Sequence, residues 1–308
     1  MTDLNKSTTP MVERINRLRQ ERNAVILAHN YVPGDVQDVA DFVGDSLELA
    51  QKSARINADV IVFCGVYFMA ETAVILNPDK TVLLPDLNAG CPMANMITGA
   101  ELRDFKAKHP GAKVVCYVNS TAEVKAESDI CCTSANAAKV VGSLGDSEIL
   151  FVPDRHLGDH VASQLNRPMT LWPGFCPTHQ HFSTAEIDSL RATHPGAPVL
   201  VHPECARPMR QAADFVLSTG QMCRHVATAP EQKFIIGTED GIIHRMRKEN
   251  PGKEFYLVSQ RLRCPNMKKI TLEKVLWSLE GMQFKITVDP EIAKAARRSI
   301  EAMLDVSK

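Results

Sequence analysis

The chain has no excess of charge of one sign and no long hydrophobic run. Lysine and arginine number 35 against 36 aspartate and glutamate residues, which gives a formal net charge of -1. This balance argues against a nucleic-acid-binding or anionic-membrane-binding protein, because such surfaces need a basic excess. It leaves room for an anionic small-molecule substrate held by a few placed groups. The most apolar stretch, residues 60–70, is shorter than the ~20 residues of a membrane span and predicts a buried strand.

The first 23 residues contain no apolar core of the length found in a secretory signal peptide. Instead, Met11, Ile15 and Leu18 form a stripe with helical spacing, which predicts an N-terminal amphipathic helix. With 44% hydrophobic and 23% charged residues, the composition is that of a globular protein, and 308 residues suffice for two or three domains. We therefore expect a cytoplasmic protein.

Nine cysteines are present, an odd number in a chain without a secretory signal, which argues against a disulfide framework. Four of them stand in or beside apolar runs, which predicts buried thiols: Cys64, Cys116, Cys205 and Cys223. The adjacent pair Cys131-Cys132 fits neither a CxxC redox motif nor a zinc knuckle. The remaining three cysteines share a feature that these six lack.

Cys91, Cys176 and Cys264 are each followed by proline, and successive members of this set are 85 and 88 residues apart. The tetrapeptide His-Pro-Gly-Ala also occurs twice, at residues 109–112 and 194–197, again 85 residues apart. Each copy precedes an apolar segment that is typical of a strand. The shared period indicates that the chain contains three copies of one structural unit.

Each unit is predicted to run strand, helix, strand, helix, strand, Cys-Pro, helix. Alternating strands and helices favour a parallel sheet covered by helices on both faces. We therefore predict an α/β fold of three similar three-layer αβα domains, arranged about a pseudo-threefold axis with a central site for the three cysteines. The predicted domains are 1–110 with the N-terminal helix, 111–195, and 196–308 with the C-terminal helix. One large α/β sheet with coincidental spacing is the alternative.

A central site with three thiolates could hold zinc or an iron–sulfur cluster. Structural zinc takes four ligands, usually in local CxxC pairs, whereas each of these cysteines comes from a separate unit. Proline directly after a ligating cysteine also occurs in ferredoxin-type motifs. Three thiolates on a 4Fe–4S cluster leave one iron open, which favours Lewis-acid chemistry over electron transfer. Loss of water from a hydroxylated substrate is a natural reaction for such a site.

Polar residues follow the first strand of each unit, where parallel sheets gather their functional groups. These strand-end residues are His29, Asn30, Tyr31, Tyr117, Val118, Asn119, His202, Pro203 and Glu204. Glu204 is the only carboxylate among them and is the predicted general base. His179, three residues after Cys176, is a candidate contact to the substrate or to the ligand cysteine. Three other histidines could equally be surface residues: His156, His160 and His181.

Hydroxyl residues open a helical segment at matched positions in the three units: Ser46, Ser134, Ser218 and Thr219. A helix N-terminus has unpaired N–H groups and a positive dipole end, which suit phosphate or carboxylate. Serine and threonine also cap helices without binding any ligand. Three matched positions favour a ligand with several negative charges.

Taken together, these residues resemble the quinolinate synthase family of bacteria and archaea over nearly the whole chain. No single motif is specific, but the set is. The motifs that carry the resemblance are Ala28-His29-Asn30-Tyr31, Gly44-Asp45-Ser46, Tyr117-Val118-Asn119-Ser120, Thr133-Ser134-Ala135-Asn136, Gly174-Phe175-Cys176, Val201-His202-Pro203-Glu204-Cys205, Ser218-Thr219-Gly220 and Cys264-Pro265-Asn266-Met267-Lys268.

The resemblance implies three α/β domains around one 4Fe–4S cluster with Cys91, Cys176 and Cys264 as its ligands. It implies a transferase that condenses iminoaspartate with dihydroxyacetone phosphate to quinolinate, phosphate and two waters, as part of NAD biosynthesis. L-Aspartate oxidase or aspartate dehydrogenase would supply the iminoaspartate. Tyr31, His202 and Glu204 are the implied catalytic residues. The implied substrate contacts are His29, Ser46, Tyr117, Val118, Asn119, Ser134, His202, Pro203, Glu204, Ser218 and Thr219.

One departure from the family is visible at the third ligand. Some members have a CxxCxxC run there, whereas Cys264 is followed by Pro265, Asn266 and Met267, so a regulatory thiol pair is not expected. Two other functions compete with the implied one: a cluster-dependent hydro-lyase of another substrate, and a non-enzymatic iron–sulfur redox sensor. A sensor would not need anion-binding hydroxyls beside its cluster.

Overall fold

The computed structural model describes residues 4–308, with side chains from residue 10 onwards. These residues form three four-stranded parallel sheets flanked by helices, which confirms the predicted α/β class and agrees with three similar αβα domains. The chain divides into two compact units. The first unit comprises the residues up to Cys91 together with Pro265–Asp289, and the second comprises Pro92–Cys264 together with Pro290–Lys308.

The first sheet has the strand order β2-β1-β3-β4 and lies in the first unit. All five residues of its central strand Val60–Cys64 are buried, as expected for a parallel strand covered on both faces. The elements of this segment are α1 (Leu4–Glu21), β1 (Ala24–His29), α2 (Gly34–Val39), β2 (Phe42–Gly44), α3 (Ser46–Ser53), β3 (Val60–Cys64), α4 (Tyr67–Leu76) and β4 (Thr81–Leu83).

The second sheet has the order β6-β5-β7-β8 and lies in the second unit. A one-turn 3₁₀ helix at Met93–Asn95 precedes it. The elements that follow are α5 (Gly99–Ala107), β5 (Lys113–Tyr117), α6 (Ala122–Ala126), β6 (Ile130–Cys132), α7 (Ala137–Gly142), β7 (Ile149–Val152), α8 (Arg155–Leu165) and β8 (Thr170–Leu171).

The third sheet, in the order β10-β9-β11-β12, also lies in the second unit. A 3₁₀ turn at Thr178–Gln180 leads into α9 (Thr184–Thr193), β9 (Val199–Val201), α10 (Arg207–Ala212), β10 (Phe215–Val216), α11 (Thr219–Thr228), β11 (Lys233–Gly237), α12 (Ile242–Glu249) and β12 (Glu254–Leu257). A third 3₁₀ turn, Met267–Lys269, precedes α13 (Leu272–Gly281) and α14 (Pro290–Val306).

Every repeat contains one strand more than the sequence pattern predicts. The additional strands are β2, β6 and β10, and each occupies one edge of its sheet. They are two or three residues long, as are the predicted strands β4, β8 and β9, so length alone does not explain why the pattern missed them. The repeat itself is real, because all three sheets have the same strand order and all three Cys-Pro pairs lead into a 3₁₀ turn.

The segments after Cys264 return to earlier parts of the chain. Residues 284–286 run beside β4, where Leu84 N donates to Phe284 O at 3.1 Å and Ile286 N donates to Val82 O at 2.9 Å. The last helix, α14, instead packs on α6 and β6, and its Ser299 hydroxyl donates to Lys125 O at 2.8 Å. The predicted boundaries at residues 110 and 195, and the pseudo-threefold arrangement, stay predictions.

The predicted amphipathic helix is present as α1, with Ile15 and Leu18 in the core of the first unit. Within the part of the chain that the structure describes, no helix combines the length and the apolar character needed to cross a bilayer.

Candidate functional site

In the second unit, the ends of β5 and β9 meet at the carboxylate of Glu204. The Tyr117 hydroxyl donates to Glu204 Oε1 at 2.7 Å, and Asn119 Nδ2 lies 3.4 Å from the same oxygen. Glu204 is only 3% exposed. Tyr117 and Asn119 lie at the end of a strand in the second sheet and Glu204 at the end of a strand in the third, so strand ends of two different sheets come together in one site.

Two histidines face the other oxygen of Glu204. His179 Nδ1 lies 2.7 Å and His202 Nδ1 3.6 Å from Glu204 Oε2. The two imidazole rings stack with their centroids 4.8 Å apart. His202 follows β9 directly, whereas His179 comes from the 3₁₀ turn after Cys176-Pro177, so that turn brings a third segment to the carboxylate.

The charge state of Glu204 follows from these neighbours. Burial alone would raise the pKa of Glu204, but the opposing charges of His202 and His179, with hydrogen bonds from His179 and Tyr117, lower it to about 2. Glu204 is therefore a carboxylate at neutral pH, the state in which a base begins.

The turn after Cys176 also joins this carboxylate to a thiol. His179 Nδ1 lies 3.2 Å from Cys176 Sγ, and one ligand atom from each of Cys176, His179 and Glu204 falls within 4.8 Å of the others. A thiolate, an imidazole and a carboxylate are a donor set that metal ions accept. The site can thus bind a metal and move protons within one hydrogen-bonded group.

The four cysteines predicted to be buried, Cys64, Cys116, Cys205 and Cys223, are buried in the structure. Six are buried, whereas Cys91, Cys176 and Cys264 are half-buried. Burial raises the pKa of Cys64 and of Cys205 far above the ordinary thiol value, so neither is ready to supply a thiolate. The three predicted ligands are thus the cysteines that keep some exposed surface.

A sequence model of the family described as "Quinolinate synthetase A protein" matches residues 13–305. The chain belongs to this family. It is 57% identical over 293 residues to a protein named quinolinate synthase from Dehalococcoides mccartyi strain CBDB1, covering 95% of this chain and 97% of that protein. Relatives with the same name from Methanoregula boonei (53% identity, 96% and 98% coverage) and Geobacter metallireducens (51% identity, 96% and 97% coverage) are similar along the same length. The resemblance stated from the motifs is confirmed.

Three of the predicted catalytic and substrate-contact residues lie in the first unit, His29, Tyr31 and Ser46. His29 ends β1, and its ring packs edge-on against Tyr31 with the centroids 4.6 Å apart. Tyr31 N donates to His29 Nδ1 at 3.2 Å, and Lys268 Nζ donates to Tyr31 O at 2.7 Å. The sequence pattern gave no role to Lys268, which here fixes the backbone of a predicted catalytic residue. Ser46 is the first residue of α3 and is half-buried.

The predicted hydroxyl residues do not all stand at the same point of their helices. Ser218 caps α11 and its hydroxyl accepts from Gln221 N at 3.3 Å, while Thr219 is the first helical residue. Ser134 lies in a turn three residues before α7 instead of opening that helix. The reason is that Asn136 Oδ1 accepts from Thr133 N at 2.6 Å and closes a turn first.

These hydroxyl segments nevertheless lie next to each other in the second unit. Gln221 Nε2 lies 3.4 Å from Ala135 O, which ties the start of α11 to the turn of Ser134. Two other predicted contacts are also buried. Val118 N donates to Cys132 O at 2.9 Å, and Pro203 stands between His202 and Glu204 in the sequence. Both can shape the site through backbone and packing.

The three histidines left open by the sequence do not contact Glu204 within hydrogen-bond distance in the described contacts. His181 is exposed. His156 and His160 lie half-buried on α8, and burial, reinforced by Arg155 and Arg210 for His156 and by Arg210 for His160, lowers the pKa of each to about 4. These two rings are therefore neutral at neutral pH.

Sequence reasoning missed three buried polar residues at strand ends. Thr238 and Glu239 follow β11, and Asp154 follows β7, each with no exposed surface. Asp154 Oδ1 caps α8, while burial and then the charge of Glu204 raise the pKa of Asp154. The signal was available, because the rule that selected Glu204 after β9 applies equally to β11, which pairs with β9, and to β7 in the second sheet.

Proposed function

We propose that the chain is a quinolinate synthase, which condenses iminoaspartate with dihydroxyacetone phosphate to quinolinate, phosphate and two waters in NAD biosynthesis. Membership of the quinolinate synthetase A family supports this reaction, and the relatives cover nearly the full length. The structural observation that carries the proposal is the buried Glu204 carboxylate, held by Tyr117 and His179 beside Cys176.

The reaction needs a base and several proton transfers, because a carbon–carbon bond forms and two hydroxyl groups leave as water. Glu204 starts as a carboxylate with two donors directed at it, and each donor lowers its proton affinity. A substrate that replaces Tyr117 or His179 at the carboxylate would raise that affinity. Glu204 would then accept a proton, and the displaced donor would return one to a leaving hydroxyl.

The start of α11 is the strongest candidate for the phosphate or a substrate carboxylate. Its first turn contains no acidic residue, and its capping box pairs Ser218 with Gln221, which are both uncharged, so no carboxylate offsets the positive end of the helix dipole. In contrast, α3 begins with Asp45 and Glu48, which accept the available N–H groups there. We therefore propose that Thr219 and Ser134, rather than Ser46, bind the anion.

A 4Fe–4S cluster is the proposed cofactor, with Cys91, Cys176 and Cys264 as its ligands. These cysteines fit the group, because they are the half-buried ones and each precedes a proline or asparagine that begins a 3₁₀ turn. When bound, a cluster with three protein ligands supplies an open iron that can act as a Lewis acid. The residues around Cys176 would orient the substrate and transfer the protons.

A single metal ion is the second candidate, since Cys176, His179 and Glu204 can ligate one without Cys91 or Cys264. Metal analysis of the anaerobically purified chain separates the two. The cluster predicts about four iron and about four acid-labile sulfide per chain. One zinc or one iron without sulfide would support the mononuclear site.

The deciding experiment is an anaerobic assay of the reconstituted chain with dihydroxyacetone phosphate and freshly generated iminoaspartate. L-Aspartate oxidase or aspartate dehydrogenase acting on aspartate would serve as the source, which is also the functional partner we propose. Quinolinate and phosphate should appear in equal amounts. A chain with a full cluster that forms no quinolinate would overturn the proposed reaction and leave another hydro-lyase substrate or a redox sensor.

A further inference from the structure

The dipeptide Thr238-Glu239, at the end of one strand, contacts residues that hold two predicted cluster ligands, Cys176 and Cys264. It follows β11, and both of its residues have no exposed surface. Side chains buried this completely at the carboxyl end of a parallel strand need polar partners. Those partners lie on both sides of the dipeptide.

Glu239 holds the backbone of Cys264. Glu239 Oε1 accepts from Cys264 N at 2.9 Å, and Glu239 Oε2 accepts from Gly241 N at 2.7 Å. The same two loops are joined again where Asp240 N donates to Leu262 O at 2.8 Å. Each carboxylate oxygen of Glu239 therefore has its own N–H donor, and the chain enters Cys264 along a fixed path.

Thr238 holds His179, which in turn contacts Cys176. Thr238 Oγ1 lies 2.8 Å from His179 Nε2, and His179 Nδ1 lies 3.2 Å from Cys176 Sγ. Glu204 is a carboxylate and can only accept, so the proton on the near side of the ring belongs on Nδ1. The contact of Thr238 Oγ1 with Nε2 then holds the opposite side of the ring and fixes its orientation towards Cys176.

We propose that Thr238-Glu239 is a positioning element that sets the two cluster ligands of the second unit separately, Cys264 through Glu239 and Cys176 through Thr238 and His179. The inference builds on the proposed cluster function, since it gives these cysteines their purpose. It makes neither residue a ligand. A carboxylate suits position 239 because glutamine would turn one N–H donor towards a backbone N–H and lose that bond.

The test compares Glu239→Gln and Thr238→Val, with Arg263→Gln as a matched control. Arg263 is the neighbour of Cys264 and makes an exposed ion pair with Asp240, so its loss perturbs the same loop without touching the dipeptide. In the metal-free full chain, iodoacetamide labelling of each ligand cysteine is followed by peptide mass spectrometry. We expect about fivefold faster labelling of Cys264 in Glu239→Gln and of Cys176 in Thr238→Val, the effect of losing one hydrogen bond.

Each variant should leave the other cysteine and Cys91 at the wild-type rate, and Thr238→Ser should restore the Cys176 rate. A general loss of structure would instead accelerate all three cysteines, and that outcome overturns the proposal. In the reconstituted protein, both variants should release iron to a chelator faster than wild type and Arg263→Gln. Wild-type rates in both measurements would also overturn it. If the wild-type chain binds no cluster but each variant still accelerates the labelling of its own cysteine alone, the proposed cofactor is refuted and the positioning role remains.

Discussion

Tyr117 and Glu204 are 87 positions apart in the chain, yet the Tyr117 hydroxyl lies 2.7 Å from Glu204 Oε1. The bond connects the end of a strand in the second sheet to the end of a strand in the third. Both the hydroxyl donor and the carboxylate acceptor are buried, so breaking the bond would deprive each of this partner and would cost free energy of folding. The catalytic chemistry proposed for the chain depends on this contact.

Tyr117→Phe removes the donor and keeps the ring. We expect turnover to fall about tenfold or more, because a buried hydrogen bond to a charged group contributes roughly 1.5–3 kcal/mol. The effect should fall on kcat more than on KM if the hydroxyl returns a proton. Steady-state kinetics of the reconstituted enzyme measures this split.

Tyr256→Phe is the matched control, since the Tyr256 hydroxyl donates to Glu254 at the surface. It should keep wild-type kinetics. Unchanged kcat and KM in Tyr117→Phe would remove the hydroxyl from the reaction and leave it a structural role only.

Glu204→Gln replaces the carboxylate by an amide that does not accept a proton. We expect kcat to fall by roughly 10²–10⁴, the usual contribution of general acid–base catalysis, while iron content and the visible spectrum of the cluster stay as in wild type. Glu254→Gln, an exposed carboxylate exchange, serves as the control. Full activity in Glu204→Gln would exclude Glu204 as the base.

The sequence pattern predicts the sheets and most of the site, and its failures have local causes. The near-equal spacing of Cys91, Cys176 and Cys264 predicts three α/β units. Apolar strands such as Val60–Cys64, which are buried on both faces, recur with a similar spacing. The edge strand Phe215–Val216 has one exposed and one half-buried residue and lacks the buried apolar run of the central strands. Its pairing depends on a neighbour that the linear sequence does not show.

The site is predictable where one strand end carries several polar residues, as at Tyr117 and Glu204. The site is harder to predict where a single buried side chain binds a segment that is distant in the sequence. Glu239 looks like an ordinary acidic residue in the sequence, and only the fold brings it to Cys264 N. Lys268 is hidden for the same reason, because its partner Tyr31 is 237 positions away.

Cys176→Ser tests the ligand assignment directly. Serine is a poor ligand for iron, so the variant should lose the visible absorption of the cluster and most of its iron, with activity lost in proportion. Cys223→Ser, at a buried cysteine of α11, should keep both. Normal iron and sulfide content in Cys176→Ser would contradict the three-cysteine ligand set.

We expect the stability of the chain to depend on pH through Cys116, whose thiolate form is favoured by the buried Lys125. Lys125 has no exposed surface, and its Nζ donates to Ser120 O at 2.7 Å. The Ser120 hydroxyl in turn donates to Tyr117 O at 2.9 Å. Burial would raise the pKa of Cys116, but hydrogen bonds with Cys131 and Ser120 and the charge of Lys125 lower it to about 7.

The sign of the resulting effect follows from linkage. A thiol ordinarily has a pKa near 9.0, and the folded chain lowers that of Cys116 to about 7. The folded state therefore gives up this proton first, so the contribution to stability is complete above pH ~9 and is lost as pH falls towards 7. Cys116→Ala abolishes it. The thermal midpoint of wild type should rise from pH 7 to pH 9 relative to that of Cys116→Ala.

Cys64→Ala separates this effect from the loss of any buried thiol. Burial raises the pKa of Cys64 far above the ordinary value, so that thiol keeps its proton throughout the range and its removal should leave the pH dependence unchanged. Lys125→Met should reproduce the flattened profile of Cys116→Ala, because the positive charge that favours the thiolate is gone. Differential scanning calorimetry at pH 7, 8 and 9 gives the comparison, and parallel profiles for wild type and Cys116→Ala would show that Cys116 remains a thiol in the folded chain.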